Sequence, residues 1–419
     1  MHPPKKRFMG ERAEMNSETP RGPLSKMRVL DFTQFLSGPY ATQILGDLGA
    51  EVIKIESADG DMTRRLPPHF VGDESAYYLS VNRSKRSLAV DLKSKAGRQL
   101  ARRLACECDV VVENFRPGVL EKLGLSYVDI SAERPDVIWC CISGFGQSGP
   151  YRDRPAYDMI VQAMSGGMSL TGEKSGAPVR SGIPLGDIAA GMYGVIGILA
   201  AHAERQQSGR GKLIDISMLD CQIAMLSYQA AYCLASGVAP TRQGSGHDSI
   251  PTYRTFTCAD GVDIAITANT ERMWANLCGV LGRPDLVCDD RFCMNERRYT
   301  NRTALWEILE PAFREKPAND WADLLVAAEV PAAVVNTLDR SLNDPQVLYR
   351  NMVLDLQGAA GEQLRVSGNP LKFVGEEEPS YRYPPSLGAD TQEILQSVLG
   401  FSPDQIATLA KEGAFGPSE

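Results

Sequence analysis

The chain has 419 residues, 43% hydrophobic and 23% charged, with a formal net charge of -8. That length and balance describe a globular protein of more than one domain, and the acidic excess excludes nucleic acid or an anionic membrane as the main partner. The ten cysteines are spread thinly and lack the Cys-x-x-Cys spacing of a zinc site, so a reducing, cytoplasmic setting without disulfides is expected.

Residues 1–26 are basic and polar, contain several prolines and lack the apolar region of a secretory signal. Their composition predicts a disordered tail; an expression remnant and a transit-like segment are the alternatives. No wholly apolar run reaches the roughly 18 residues of a membrane span. The longest covers 188–201 and is rich in Gly and Ala.

Order is expected from Met27. Residues 28–32 form a short apolar strand, 34–39 a turn, 40–48 a helix ended by Gly49, and 51–56 a second strand. Strand, turn, helix and strand within about 30 residues make a βαβ unit and so a parallel pair. A third strand is expected over 87–91 and a helix with a basic outer face over 94–106. The fourth strand, 109–113, is continuously apolar, as buried parallel strands are. Asn114-Phe115-Arg116-Pro117-Gly118 follows it directly, and open α/β sheets hold ligands at such carboxyl-end turns.

The fifth strand, 137–143, runs into Gly144-Phe145-Gly146-Gln147-Ser148-Gly149. This Gly-x-Gly-x-x-Gly is followed by Pro150 and charged residues rather than a helix, so it reads as a pocket wall and not a phosphate cradle. The first turn lacks the dinucleotide fingerprint, and neither nicotinamide nor flavin is expected.

A helix is expected over 158–168. A turn-rich segment then ends in Gly186-Asp187, and small and apolar residues run on to Ala203. They read as a helix with Asp187 as its N-cap. Two roles are open to that acid. It caps the helix and nothing more, or it is a nucleophile facing a pocket, with Gly186 and Gly191 leaving room for a substrate. A carboxylate of pKa about 4 is ionised at neutral pH and needs no activating base.

Residues 212–217 read as a strand and 218–235 as a long apolar helix. Residues 236–249 are rich in Gly, Pro, Thr and Ser and read as a linker. A smaller unit follows, with a hairpin at 256–258 and 264–267 about Asp260-Gly261. Helices are expected over 271–281, 303–313 and 318–328, and a strand over 331–336. Short strands near Gly368 and Phe373 and a helix over 391–398 close the chain. The expected division is a large domain at 27–235, a small domain at 250–330, and a return segment at 331–419 that completes the large domain.

Several segments taken together resemble the class III CoA-transferases (formyl-CoA and carnitine type, CaiB/BaiF), from Met27 to about Ala407. They are Arg28-Val29-Leu30-Asp31-Phe32-Thr33 with Ser37-Gly38-Pro39, the run from Leu45 to Glu56, Gly60-Asp61-Met62-Thr63-Arg64, Asn82-Arg83-Ser84-Lys85-Arg86-Ser87, Val112-Glu113-Asn114-Phe115-Arg116-Pro117-Gly118, Gly209-Arg210-Gly211 and Leu387-Gly388. The family's nucleophilic aspartate stands in a Gly-Asp pair after a Pro-Val-x-x-Gly segment. Here these are Gly186-Asp187 and Pro178-Val179-Arg180-Ser181-Gly182.

The resemblance implies an α/β fold, a Rossmann-like parallel sheet plus a smaller α+β domain, in an interlocked homodimer. It implies covalent transfer of CoA through Asp187, with acyl-CoA as co-substrate and no metal. Positions matching the family's CoA contacts are Phe35, Leu36, Ser37, Val90, Lys93, Asn114, Phe115, Lys122 and Leu123. Lys93 and Lys122 suit phosphates as point charges, and equally suit a solvated helix surface.

Glu74-Ser75-x-Tyr77-Tyr78-Leu79-Ser80-Val81-Asn82 and His247-x-Ser249-Ile250 resemble the subgroup that moves CoA between dicarboxylates such as succinate and hydroxymethylglutarate. A dicarboxylate needs a further cation, for which Arg180, Arg254 and His247 are candidates. Leu36 stands where some members have Gln, and Gly244-Ser245-Gly246-His247 replaces a glycine-run lid. Both departures point away from oxalate and formate.

The rival enzyme is a 2-methylacyl-CoA racemase, which needs an Asp/His pair. Tyr157 of Ala156-Tyr157-Asp158 stands at the histidine position, and a phenol of pKa about 10 is a poor base near neutrality. The other rival is a CoA-binding protein without catalysis, against which the intact Gly186-Asp187 stands.

Overall fold

The computed structural model describes residues 22–416. The chain divides into two compact units. One comprises the chain up to Ala156, Gly186–Cys221 and the chain from Leu354 on; the other comprises Tyr157–Leu185 and Gln222–Val353. The second unit is thus larger than the expected 250–330. The expected tail over 1–26 lies outside the described residues as far as residue 21. Residues 22–26 form a turn in which Leu24 is buried and its N–H donates to the Leu48 carbonyl at 3.0 Å. Order therefore already holds at Gly22, ahead of the expected Met27.

The first unit is built on six strands: β1 (Arg28–Asp31), β2 (Glu51–Glu56), β3 (Lys85–Ala89), β4 (Val110–Glu113), β5 (Ile138–Ser143) and β6 (Leu213–Ser217). Every neighbouring pair is parallel, and the order across the sheet is β3-β2-β1-β4-β5-β6. This is the doubly wound order, with its topological switch point between β1 and β4. Strand β3 begins two residues before its expected start. Lys85 and Arg86 concealed it, because their charges are paired with Asp31 and Glu51 rather than solvated.

Helix α1 (Ser37–Asp47) likewise begins three residues before its expected start. Pro39 suggested a turn, but proline is tolerated in the first turn of a helix, where its missing N–H has no partner to lose. Helix α2 (Lys95–Glu107) is capped by Ser94, whose hydroxyl accepts the Gly97 N–H at 2.9 Å. Leu100 and Leu104 of α2 pack with Leu30, Ile53 and Val111 of the sheet and with Ile394 and Leu395 of the helix Thr391–Leu399.

Helix α3 (Leu185–Ser208) is longer than expected at both ends. Asp187 is its third residue and lies within the first turn, so the expected N-cap role is corrected. An acid there still meets the positive end of the helix dipole. Beyond Ala203 the apolar pattern ends, but Glu204, Arg205 and Gln206 are good helix formers and carry it on. By length and composition α3 could cross a membrane, with a mean hydropathy of 1.4 over its window, where counting only 188–201 made it too short. It instead packs inside its unit through Gly191, Gly194 and Gly197, which face Ser37, Ile142 and Ile214 respectively.

The second unit holds β7 (Arg254–Thr257), β8 (Asp263–Ile266) and β9 (Ala332–Val334) in an antiparallel sheet. Trp274, Leu277, Phe313 and Trp321 form its core. The single helix expected over 218–235 is two, Met218–Met225 and Tyr228–Ser236, broken where Ser227 takes φ 49°. Of the strands expected near Gly368 and Phe373, the first is Gln363–Ser367, which pairs with the unexpected Val353–Gln357, and residues around Phe373 form no strand. A helix at Pro403–Lys411 was not expected.

Candidate active site

The two turns at the switch point are joined by one side chain. Asn114 Oδ1 accepts the Gln34 N–H at 2.9 Å, and Asn114 Nδ2 donates to the Gln34 carbonyl at 2.7 Å and to Ser37 Oγ at 3.5 Å. An amide side chain can satisfy a backbone donor and a backbone acceptor together, which is why Asn suits this place. Phe35, Leu36 and Ser37 are thereby tied to Asn114 and Phe115, five of the expected CoA positions. Phe35 holds φ 63°, a left-handed conformation that costs a bulky residue of order 1–3 kcal/mol and persists only where its surroundings enforce it.

Those surroundings are a buried ionic cluster. Lys54, within apolar β2, is fully buried; its Nζ donates to the Thr33 carbonyl at 2.7 Å and pairs with Asp61 at 3.0 Å. The other Asp61 oxygen accepts the Phe35 N–H at 3.5 Å and the Thr63 N–H at 2.9 Å. Burial pushes the Asp61 carboxyl up, but Lys54 and Thr63 more than reverse this and hold it below its ordinary value. Lys85 Nζ reaches Asp31 at 3.1 Å and the Pro39 carbonyl at 3.0 Å. Burial outweighs Asp31 and lowers the Lys85 ammonium to about 8.

The remaining positions expected for CoA follow β3 and β4 at the same carboxyl edge of the sheet. Val90 is buried after β3, its N–H donating to the Glu56 carbonyl at 2.7 Å. Lys93 and Lys122 are exposed and Leu123 is half-buried. The glycine loop after β5 has its amides engaged: Gly146 donates to Ser143 Oγ at 3.0 Å, and Gln147 donates to both oxygens of Asp215, at 3.0 and 2.9 Å. A loop whose amides face a carboxylate is not arranged for phosphate.

Helix α3 brings Asp187 to this unit. A Cβ added to Gly191 would lie 2.7 Å from the Ser37 carbonyl oxygen, so only glycine permits the approach of α3 to the start of α1. Asp187 is four residues earlier, on the same face and one turn nearer the helix start. Gly186 is buried beside it.

The acceptor candidates Tyr157, Arg180, His247 and Arg254 all belong to the second unit. Tyr157 and Arg180 are exposed, and Arg180 donates to the Ser181 carbonyl at 3.1 Å. Gln162 links their segments, bonded to Asp158 at 2.7 Å and to the Ser181 N–H at 2.9 Å. His247 is stacked between Tyr228 and Tyr253, and its Nδ1 accepts the Ser249 N–H at 3.1 Å. That bond leaves the proton of neutral imidazole on Nε2. Arg254 faces Glu310 at 3.3 Å and lies over Trp306, so its charge is already countered.

Sequence reasoning missed Lys54, Asp61 and Glu113 as parts of the site. Lys54 carried a signal, a charge inside an apolar strand, since a lysine buried there needs a partner. Glu113 closes a wholly apolar strand in the same way.

A model described as CoA-transferase family III matches residues 24–391. Succinyl-CoA:glutarate CoA-transferase of Homo sapiens is 38% identical over 398 residues, 95% of this chain and 91% of that protein. Acetyl-CoA:oxalate CoA-transferase of Acetobacter aceti is 38% identical over 371 residues, 88% of this chain and 94% of that protein. The crystal structure of a CAIB/BAIF family protein from Brucella suis is similar at a TM-score of 0.81 and 37% identity, covering 90% of this chain and 99% of that one.

Proposed function

The chain belongs to CoA-transferase family III, and from that premise we propose that it moves CoA from a dicarboxylyl-CoA such as succinyl-CoA to a carboxylic acid by covalent catalysis on Asp187. The observation that carries this reading is the contact of Gly191 with Ser37. It supports the reading because it brings α3, one turn after Asp187, against the helix start that Asn114 ties to the switch point.

The Asp187 carboxylate attacks the thioester carbonyl of the donor. The C–S bond breaks, CoA leaves as thiolate, and an acyl aspartyl anhydride remains. The thiolate attacks the aspartyl carbonyl, releasing the donor acid as carboxylate and leaving an aspartyl-CoA thioester. The acceptor carboxylate displaces the thiolate to form a second anhydride. The thiolate then takes the acceptor acyl group and restores Asp187. Each step exchanges one activated acyl bond for another and moves no proton, so none calls for a metal, nicotinamide or flavin. Backbone N–H groups of the first turn of α3, that of Gly186 among them, are the donors for the developing oxyanion.

CoA lies along the carboxyl edge, on Phe35, Leu36, Ser37, Val90, Asn114, Phe115 and Leu123, with Lys93 and Lys122 toward its phosphates. The acceptor's far carboxylate is bound by Arg180 and His247; Arg254 is the weaker candidate because it is paired. The relatives named for glutarate and for oxalate are equally identical to this chain, so both acids belong in the acceptor panel. Met192, Tyr193 and Ile196 leave apolar surface on α3 exposed, which supports a homodimer, interlocked as in the family. Ten free thiols support a cytoplasmic setting.

Intact mass after incubation with succinyl-CoA, before and after hydroxylamine, tests the reading. A CoA-sized or acyl-sized adduct that hydroxylamine removes is expected in the wild type and not in Asp187→Ala. No adduct with any acyl-CoA, together with solvent deuterium entering the α-carbon, would instead support the racemase.

A further inference from the structure

Glu113 is the last residue of β4 and only 6% exposed. Its Oε2 accepts the Phe115 N–H at 2.8 Å, and the thiol of Cys141, its register partner on β5, lies beside the carboxyl. Between Glu113 and Phe115 sits Asn114, whose amide reaches Gln34 and Ser37. We propose that Glu113 is a positioning residue for acyl-CoA: by holding the Phe115 amide it fixes the direction of Asn114, and through Asn114 the turn at 34–37. The inference rests on the reading that CoA lies on that turn.

The surroundings of Glu113 sharpen the case. The groups facing it include Cys140 and Cys141 of β5, Asp215 of β6 and Glu121 beyond the turn. A buried carboxyl beside acidic neighbours is costly, and a glutamine would fill the same shape without that cost. What the acid adds is a charge-assisted bond to the Phe115 amide when ionised, about twice as strong as a neutral one. Burial first, then Glu121 and Asp215, push the carboxyl up to about 7, so the bond changes strength across the working range of pH.

The test is the acyl-CoA KM, with kcat and the Kd of free CoA, for the full-length wild type, Glu113→Gln, Cys141→Ala and Asn114→Ala from about pH 6 to about 8.5. In the wild type, KM is expected to fall about fivefold as Glu113 ionises, with kcat changing less. Glu113→Gln cannot ionise and is expected to keep the acid-side KM at every pH. Cys141→Ala removes the neighbouring thiol, which favours the ionised carboxyl, but not the Phe115 bond, and is expected to move the inflection to higher pH. A Glu113→Gln profile that follows the wild type, or a loss of kcat with KM unchanged, overturns the positioning role. If Asn114→Ala weakens CoA binding while Glu113→Gln does not, the inference alone fails. If Asn114→Ala leaves CoA binding unchanged, the placement of CoA fails and takes the inference with it.

Discussion

Gly191 and Ser37 are in backbone contact, close enough that a methyl on Gly191 would come within 2.7 Å of the Ser37 carbonyl oxygen. A backbone oxygen cannot yield as a side chain can. Gly191→Ala is therefore expected to destabilise by roughly 1–3 kcal/mol, the usual cost of overpacking, and to lower kcat by shifting the start of α3. Gly197→Ala is the control, since its Cβ would meet only the flexible Ile214 side chain at 3.0 Å. Thermal melts with transfer rates check both, and equal effects at the two sites would contradict the account.

Asp187→Asn keeps the shape of the first turn and removes the nucleophile. We expect kcat to fall by at least about 10³-fold while the Kd of free CoA changes by less than about threefold. Stopped-flow binding beside steady-state transfer assays separates the two.

The Lys54–Asp61 pair supports the turn from below, with both side chains fully buried. Lys54→Met leaves Asp61 without its partner and is expected to cost about 3–5 kcal/mol. Adding Asp61→Leu removes the orphaned charge and is expected to recover part of that stability. It does not recover the acyl-CoA KM, because Phe35 also loses its acceptor. Urea denaturation of the single and double variants reads the first effect, and kinetics the second.

Glu113 gives stability a pH dependence of a particular sign. Burial raises its carboxyl from 4.5 to about 7. Between those values the folded protein holds a proton that the unfolded chain has released, so this group's contribution is greatest below about 4.5 and is lost as pH rises through about 7. Glu113→Gln removes the dependence. Its stability relative to the wild type is expected to rise by up to about 3 kcal/mol between about pH 5 and about pH 8, measured by chemical denaturation at each pH.

Arg180 is the uncommitted cation among the acceptor candidates, bonded to one neighbouring carbonyl, whereas Arg254 already faces Glu310. Arg180→Ala is expected to raise KM for glutarate about tenfold or more, the worth of a charge-assisted bond. KM for a monocarboxylate of similar length should be little changed. Equal losses for both acids would remove Arg180 from the role.

Much of this molecule was legible in the chain itself. The apolar runs at 51–56 and 109–113 gave parallel strands, because side chains buried on both faces leave no alternation to misread. The Gly-Asp pair, with an apolar run behind it, marked a carboxylate at a helix start. Three things were not legible. Lys85 and Arg86 fell outside the strand expected over 87–91, yet they belong to it, since only the fold supplies Asp31 and Glu51 as partners. Asp187 read as a cap, yet it is the third residue of its helix, because the helix start is set by backbone geometry that a favoured residue type does not determine. The tie between Asn114 and Gln34 joins positions 80 residues apart, and the doubly wound strand order alone makes them neighbours. Local composition determined the elements and the chemistry they could offer. Long-range pairing of charges and backbone amides decided which of those groups share a site.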